Sequence, residues 1–508
     1  MAKTGTSSQK KGPMQKLKRL VIPLLASLCL QMPMVAYAQT NIPSIGDTAR
    51  TALSPVAEYK LGRSIMVQIE QDPAYVKDDV LNEYLFVLGN KLVGADPTLR
   101  GELVNDFTFF GVKDRTLNAF ALPGGFIGVH TGLILTTETE SELASVLSHE
   151  VGHVSQRHIA RMIASSEHDI LIPLASAALA LVAAAAGGGG NAAMGALVAG
   201  QGVAIQKQIN FTREAEKEAD RVGFQILKQA GFDINDMPAF FLKMQNATRL
   251  YNDAPSQYLR THPLTSQRIA DIELRIREEH YRQHVDNVDF QLIRSKARVV
   301  QGDMGGGTYE AEKFFTEQVK KGTRYQMAAG YYGLALIALQ NKDPNLARLR
   351  LNEARKIFSD SAIRQSLALR ALDIEIMIES GKTSEAIATS KAAIDSFPSS
   401  RTMSNLYVRS LARARRYDDC VRYLRKMSQR YREDAQIRRT MASIYSEMGK
   451  PGMMHFYMAE YYHLMEANQM AIEQLDLARK EKDVTFYDQS LIDAREREWK
   501  QEIRDAKE

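Results

Sequence analysis

The sequence predicts a mainly α protein: an α+β front part with a small β hairpin or sheet, followed by a solenoid of helical repeats. Three observations predict it. Apolar residues recur at helical spacing through most of the 508 residues, strand-like runs are confined to residues 107–130, and Ala386, Cys420 and Met454 stand 34 residues apart. A composition of 45% hydrophobic and 25% charged residues is that of a globular chain with room for two to four domains, which excludes wholesale disorder.

Residues 1–38 have the three parts of a secretory signal: basic residues ending at Arg19, an apolar core from Leu20 to Leu30, and Ala36-Tyr37-Ala38 as a small-x-small cleavage site. Cleavage after Ala38 is expected. The segment holds Lys3, Lys10, Lys11, Lys16, Lys18 and Arg19 and no acidic residue, so removing these six of 65 leaves 59 basic against 60 acidic side chains. No nucleic-acid footprint remains. Cys29 goes with the signal, leaving Cys420, so packing or metal rather than a disulfide has to stabilise the exported chain.

Residues 39–54 read as an extended leader. Val56 to Val93 holds two helical patterns split near Asp72-Pro73, with Leu81, Tyr84, Leu85, Leu88 and Leu92 on one apolar stripe. Phe107 to Val112 predicts a strand, and Asn118 to His130 a strand, a Pro-Gly-Gly turn and a strand, whose open edge could take an extended peptide as an added strand. One helix is expected over Leu143 to Ile163. The uncharged run 170–206 is too rich in Ala and Gly for a firm membrane span and reads as helices that touch a membrane surface or a greasy substrate. A helix over Ala204 to Ala230 stops at Gly231, with Asp233 or Asn235 capping the next; Tyr258 to Arg268 is a loop, and a charged helix runs from Ile269 to about His284. Gly302 to Gly307 reads as a hinge.

In the tail, Gly381, Ala386, Ala393 and Pro398 sit at the offsets of a tetratricopeptide repeat. An irregular pair over Ala329 to Ile357 begins the array, and Ser490 to Ala506, with Leu491, Ala494, Trp499 and Ile503, caps it. Such pairs stack into a concave, partner-binding solenoid.

The chemistry centres on His149-Glu150-Val151-Gly152-His153. On a helix, His149 and His153 stack one turn apart, the geometry of two zinc-bound imidazoles, while Glu150, roughly 100° round, reaches a water held by the metal and serves as general base. A catalytic zinc site takes a third protein ligand and leaves one position open. About 60 residues downstream, Glu214 followed by Glu218 competes for that role with Glu216 followed by Asp220; the later carboxylate of either pair can accept the second ring N–H of a ligating His. Arg268 is a candidate oxyanion donor. His262, in a loop beside Pro263, could swing onto the open position and exclude water. His158, nine residues beyond His149 on a continuous helix, faces roughly 180° away and is not expected to ligate the same ion.

HExxH at His149 to His153 with ExxxD at Glu216 to Asp220 resembles the gluzincin metallopeptidases related to the CAAX prenyl protease and the heat-shock membrane protease. The resemblance, over residues 59–277, implies one Zn2+ per chain held by His149, His153 and Glu216, with Asp220 behind a ligand. Asn118 to Ile134 is similar to the segment these enzymes place beside the cleft, which implies a substrate or oxyanion role for Asn118. With signal and repeats added, the chain is similar to periplasmic members of Gram-negative bacteria. That implies an endopeptidase of outer-membrane protein assembly and quality control, acting on unfolded or stalled outer-membrane proteins beside their assembly machinery. The expected organisation is 1–38 signal, 39–300 metallopeptidase domain and 310–508 repeat domain. A chaperone or adaptor with a structural zinc domain, and an integral membrane protease, are the rival readings.

Overall fold

The computed structural model describes residues 53–97, 106–165, 212–250, 257–280, 282, 284–302, 307–359 and 364–505. The predicted signal, the uncharged run and residues 303–306 of the glycine stretch lie outside them.

The front part opens with α1 (Pro55–Gln71) and α2 (Asp79–Ala95), whose N-caps Ser54 and Asp78 accept the Ala57 and Leu81 amides. The expected stripe of α2 is buried from Leu81 to Leu92. Strands β1 (Thr108–Val112), β2 (Ala119–Leu122) and β3 (Phe126–His130) form one sheet in the order β1-β3-β2. β2 and β3 make the expected antiparallel hairpin, while β1 joins β3 in parallel, a pairing without a signature in the sequence. Gly124 turns the hairpin at φ +78°, and a Cβ there would meet the Tyr59 Cα of α1 at 2.6 Å.

Strand alternation explains why both faces of the sheet are buried. Phe109, Ala121, Ile127 and Val129 enter the main core with α2, whereas Phe110, Phe120, Leu122 and Phe126 pack with Ile65 and Met66 of α1 and with Ile159 and Ile163. Burying each such large side chain contributes about 1.5–3 kcal/mol.

After α3 (Thr131–Thr136) comes the helix with both histidines, α4 (Glu140–Ser155), capped by Thr139. The expected single helix to Ile163 is in fact two. Arg157 adopts the left-handed conformation at φ +52°, and α5 (His158–Ser165) starts afresh. A non-glycine residue there costs about 1–2 kcal/mol; the Arg157 guanidinium offsets it by donating to Glu58 at 3.0 Å and to the Leu53 carbonyl at 2.6 Å.

Helix α6 (Arg213–Gln229) starts at an extended Thr212 cap, the expected start at Ala204 lying outside the described residues, and it ends as expected at Gly231, φ +78°. There follow α7 (Asp236–Leu250), α8 (Gln257–Thr261) within the expected loop, and α9 (Ser266–Arg277), which stops short of His284. Then come α10 (Val288–Gly302) and α11 (Gly307–Lys321).

The tail is built of pairs: α12 (Arg324–Gln340) with α13 (Pro344–Ile357), α14 (Leu367–Glu379) with α15 (Thr383–Ser396), α16 (Arg401–Arg413) with α17 (Tyr417–Arg430), and α18 (Ala435–Glu447) with α19 (Pro451–Leu464). From Leu367 the period is strict. Leu367, Arg401 and Ala435 open successive first helices and Thr383, Tyr417 and Pro451 successive second ones, each 34 residues after the last. Their caps Ser366, Ser400 and Asp434 and the left-handed Gly381, Arg415 and Gly449 keep the same spacing. Helices α20 (Asn468–Lys480) and α21 (Phe486–Asp505) finish the array; Ile492 and Trp499 are the buried residues of the last, with Trp499 stacked on His463.

The main core runs without a break from Val76 to Leu406, across the glycine stretch. Carboxylates of the front part also reach the amide ends of the repeat helices. Glu83 accepts the Thr402 amide at 2.8 Å, and Asp289 accepts the Ser366 hydroxyl and the Leu367 and Ala368 amides. Among the described residues no helix is long and apolar enough to cross a membrane.

Burial pushes the Asp289 carboxyl up to about 6, against the pull of its Ser366, Ala368 and Leu367 donors. A raised carboxyl favours the folded state only while protonated. Its contribution is therefore present below pH ~4 and lost as pH rises to ~6, about 3 kcal/mol for a shift near two units. The unfolding free energy of the native protein relative to Asp289→Asn should fall by about 2–3 kcal/mol between pH 4 and 7 in denaturant titrations; a constant difference would refute the assignment.

Candidate metal centre

The site is made by α4 and α6 lying almost backbone to backbone. Gly152 and Gly223 permit it: a Cβ on Gly152 would stand 2.9 Å from the Ala219 carbonyl oxygen, and one on Gly223 would stand 3.0 Å from the His149 N and Cα. This approach sets Glu216 and Asp220, one turn apart on α6, against His149 and His153, one turn apart on α4.

His149, His153, Glu216 and His262 each offer a ligand atom to a group whose atoms lie within 4.8 Å of one another, all buried. The Nε2 atoms of His149 and His153 are 3.0 Å apart, and the Glu216 carboxylate lies 3.5 Å from the first and 3.3 Å from the second. Tetrahedral zinc with bonds of about 2.0–2.1 Å separates its ligands by about 3.3 Å. Two imidazole nitrogens and a carboxylate oxygen at this spacing fit the ion; exposed Glu214 lies outside the group. His262 is the fourth member of the group. Its Nδ1 is 2.9 Å from Glu216 Oε1 and 3.4 Å from His149 Nε2, its Nε2 is 3.6 Å from Glu150 Oε1, and its ring stacks on Tyr258.

The pocket favours positive charge beside Glu216 and Asp220. Burial works to raise the Glu216 carboxyl, but the imidazoles of His262, His149 and His153 beside it hold it well below the usual range. Burial also opposes charge on His149, yet Asp220 and Glu216 outweigh it and lift the imidazole to about 9. His153, 3.0 Å away, is driven down by burial and by the charge on His149.

Behind the ligands stands a supporting shell. His149 Nδ1 lies 3.0 Å from Asp220 Oδ1, and Asp220 is gripped by Arg268 through Nε at 2.6 Å and a terminal nitrogen at 2.7 Å. The other terminal nitrogen of Arg268 donates to the Pro263 carbonyl at 2.9 Å and lies 2.6 Å from Glu216 Oε2. These contacts engage Arg268, a candidate oxyanion donor, with carboxylates and backbone. His158 is also placed differently from expectation: the turn at Arg157 brings its Nδ1 within 2.9 Å of His153 Nδ1, and its Nε2 within 3.1 Å of Glu218. The sequence carried no breaker to reveal that turn.

Glu150 is fully buried, and both its carboxylate oxygens lack a hydrogen-bond partner among the described residues. The hydroxyl of buried Tyr258, absent from the sequence-based set, is likewise without a partner there. Asn118 is buried just before β2; its amide nitrogen lies 3.4 Å from His130 Nε2, and its oxygen is unpartnered among the described residues. The far edge of β2 takes no backbone partner among the described residues, whereas β1 is covered by Tyr75 and Val76.

Comparison with known proteins follows the same lines. Residues 97–276 match peptidase family M48. A putative beta-barrel assembly-enhancing protease of Vibrio cholerae is 36% identical over 336 residues, 65% of this chain and 68% of that one. The beta-barrel assembly-enhancing protease of Yersinia pestis is 32% identical over 380 residues, 73% of this chain and 75% of that one. A mitochondrial metalloendopeptidase of Arabidopsis thaliana is 35% identical over 152 residues, 30% of this chain and 28% of that one.

On an open helix, Gly→Ala would gain about 1 kcal/mol. At Gly223 the new methyl meets helix backbone that cannot yield, so overpacking of about 1–3 kcal/mol wins. Gly223→Ala should lower stability in denaturant titration and weaken zinc retention against a chelator. A more stable variant would show that the two helices have room to spare.

Proposed function

Because the chain belongs to peptidase family M48 and is a zinc metalloendopeptidase, we propose that His149, His153 and Glu216 hold the ion and that Glu150 is the general base of peptide hydrolysis. Glu150 carries this reading. A buried carboxylate without donors costs more than the ~1–3 kcal/mol of a neutral unsatisfied group, so it is kept for a partner that arrives with the reaction. When bound, zinc supplies Lewis acidity that lowers the pKa of water and polarises the scissile carbonyl. Glu150 accepts the proton of the attacking water and passes it to the leaving nitrogen. Asp220 Oδ1, 3.0 Å from His149 Nδ1, favours the proton on that nitrogen and so keeps Nε2 free as a ligand, with Arg268 fixing Asp220. Asn118, at the head of edge strand β2, can accept an N–H from an extended substrate added to that edge.

His262 supplies the control. Seated on the fourth corner beside Glu150, it excludes water, and the described conformation is the closed one. The relatives' names speak of beta-barrel assembly. In this reading the signal at residues 1–38, cleaved after Ala38, delivers the chain to the periplasm. There the metallopeptidase segment 39–300 acts in outer-membrane protein assembly and quality control. The tetratricopeptide-like segment 310–508 recruits unfolded or stalled outer-membrane proteins and their assembly machinery, and the run 170–206 contacts the membrane surface.

Glu150→Gln should bind zinc and fold as the native chain does while proteolysis drops by roughly 10²–10⁴; undiminished cleavage of an unfolded protein substrate would remove Glu150 from the mechanism. If the closed arrangement holds about 90% of molecules, His262→Ala should raise basal proteolysis about tenfold. An unchanged rate at saturating zinc would count against the plug.

A further inference from the structure

Helix α4 does not simply run out after its second histidine. It is stopped by a left-handed arginine that the sequence could have avoided with glycine, and that conformation is held by two contacts from the Arg157 guanidinium to Glu58 and Leu53. What the turn delivers is His158, buried, with Nδ1 2.9 Å from His153 Nδ1. Its Nε2 lies 3.1 Å from Glu218 Oε2, and Arg161 of the same short helix donates to that oxygen at 2.8 Å.

Two nitrogens at 2.9 Å share one proton. With Nε2 of His153 directed at the ligand group, that proton belongs to His153 Nδ1; His158 Nδ1 then accepts it, and His158 Nε2–H donates to Glu218. The direction of every bond in the chain His153, His158, Glu218, Arg161 is thereby fixed. It parallels the chain His149, Asp220, Arg268 on the other ligand, each ending on an arginine. The second chain differs by having a neutral imidazole where the first has a carboxylate, so only one of the two ligand histidines is backed directly by an anion.

We propose that His158 is a positioning residue for the metal centre, fixing the tautomer and ring orientation of His153, and that Glu218 and Arg161 serve it. The inference rests on His153 being a ligand. Without His158 the His153 ring loses its acceptor and turns more freely about its side-chain bonds, so the ion is held less tightly. Glu218 thus acts at the site from a quarter-exposed position that reads as surface in the sequence.

The test uses the full exported chain with zinc affinity measured by chelator competition, together with the visible absorption spectrum of the Co2+-substituted protein. His158→Ala should weaken zinc binding by roughly 10–100-fold and alter the Co2+ spectrum. His158→Asn, whose amide oxygen takes the place of Nδ1, should recover most of the affinity. Equal losses in both variants, or native affinity and spectrum in His158→Ala, would overturn the proposal. Should His158→Ala fail to fold, Glu218→Ala decides: a several-fold loss of affinity with the fold intact supports the relay, and native affinity overturns it. His153→Ala separates the layers, because native zinc affinity there sinks the ligand assignment itself, while a loss there with none in His158→Ala sinks the relay alone.

Discussion

The site depends on how closely two helices approach. The candidate ligands on α4 and α6 can converge on one point only if the axes come nearer than ordinary side chains permit, and Gly152 against Ala219 and Gly223 against His149 remove the side chains that would prevent it. Both helices then commit their buried faces to each other, so the residues spaced one turn apart on each meet as a square of imidazoles and carboxylates. The two ligand sets are not assembled by loops. They are a consequence of helix period and contact distance, which leaves the centre little freedom to relax.

The same physics decides what was legible in the sequence. His149, Glu150 and His153 show because a short spacing on a single helix encodes their geometry, whereas on the second helix Glu216 with Asp220 shares its spacing with Glu214 and Glu218 and is singled out only by the resemblance. The pairs of the tail show through their period, which the caps Ser366, Ser400 and Asp434 repeat in the structure. Arg157 does not show, because its left-handed conformation is sustained by Glu58 and Leu53, about a hundred residues earlier. Assuming an unbroken helix turned His158 away from the centre by half a revolution. The parallel partner of β1 and the core continuous from Val76 to Leu406 are equally invisible, since both are set by contacts distant in sequence.

That continuous core bears on how front part and tail work together. Glu83 and Asp289 accept backbone amides at the N-terminal ends of α16 and α14, so the tail is fastened at its first regular repeats. Beyond Val408 a separate core takes over, and each pair there packs chiefly on its neighbours. The anchored repeats are thus fixed in relation to the proposed site, and a later one also returns to the front part, where the Arg63 guanidinium of α1 meets Met465 Sδ at 3.9 Å, at the end of α19.

Arg268 couples the last two parts of the site. One guanidinium grips Asp220 twice, and through it His149, while its remaining nitrogen holds the Pro263 carbonyl next to His262. A bidentate guanidinium–carboxylate pair is stronger than a single bond to a neutral carbonyl. If His262 acts as the proposed switch, the bond to Pro263 is therefore the one that yields when its loop moves, and the pair on Asp220 persists. Opening can expose Glu150 and the fourth position without loosening the support of His149. A switch built on the opposite ordering would disturb a ligand each time it opened; here the access element is the weaker partner of a residue whose stronger bonds keep the ligand shell in place.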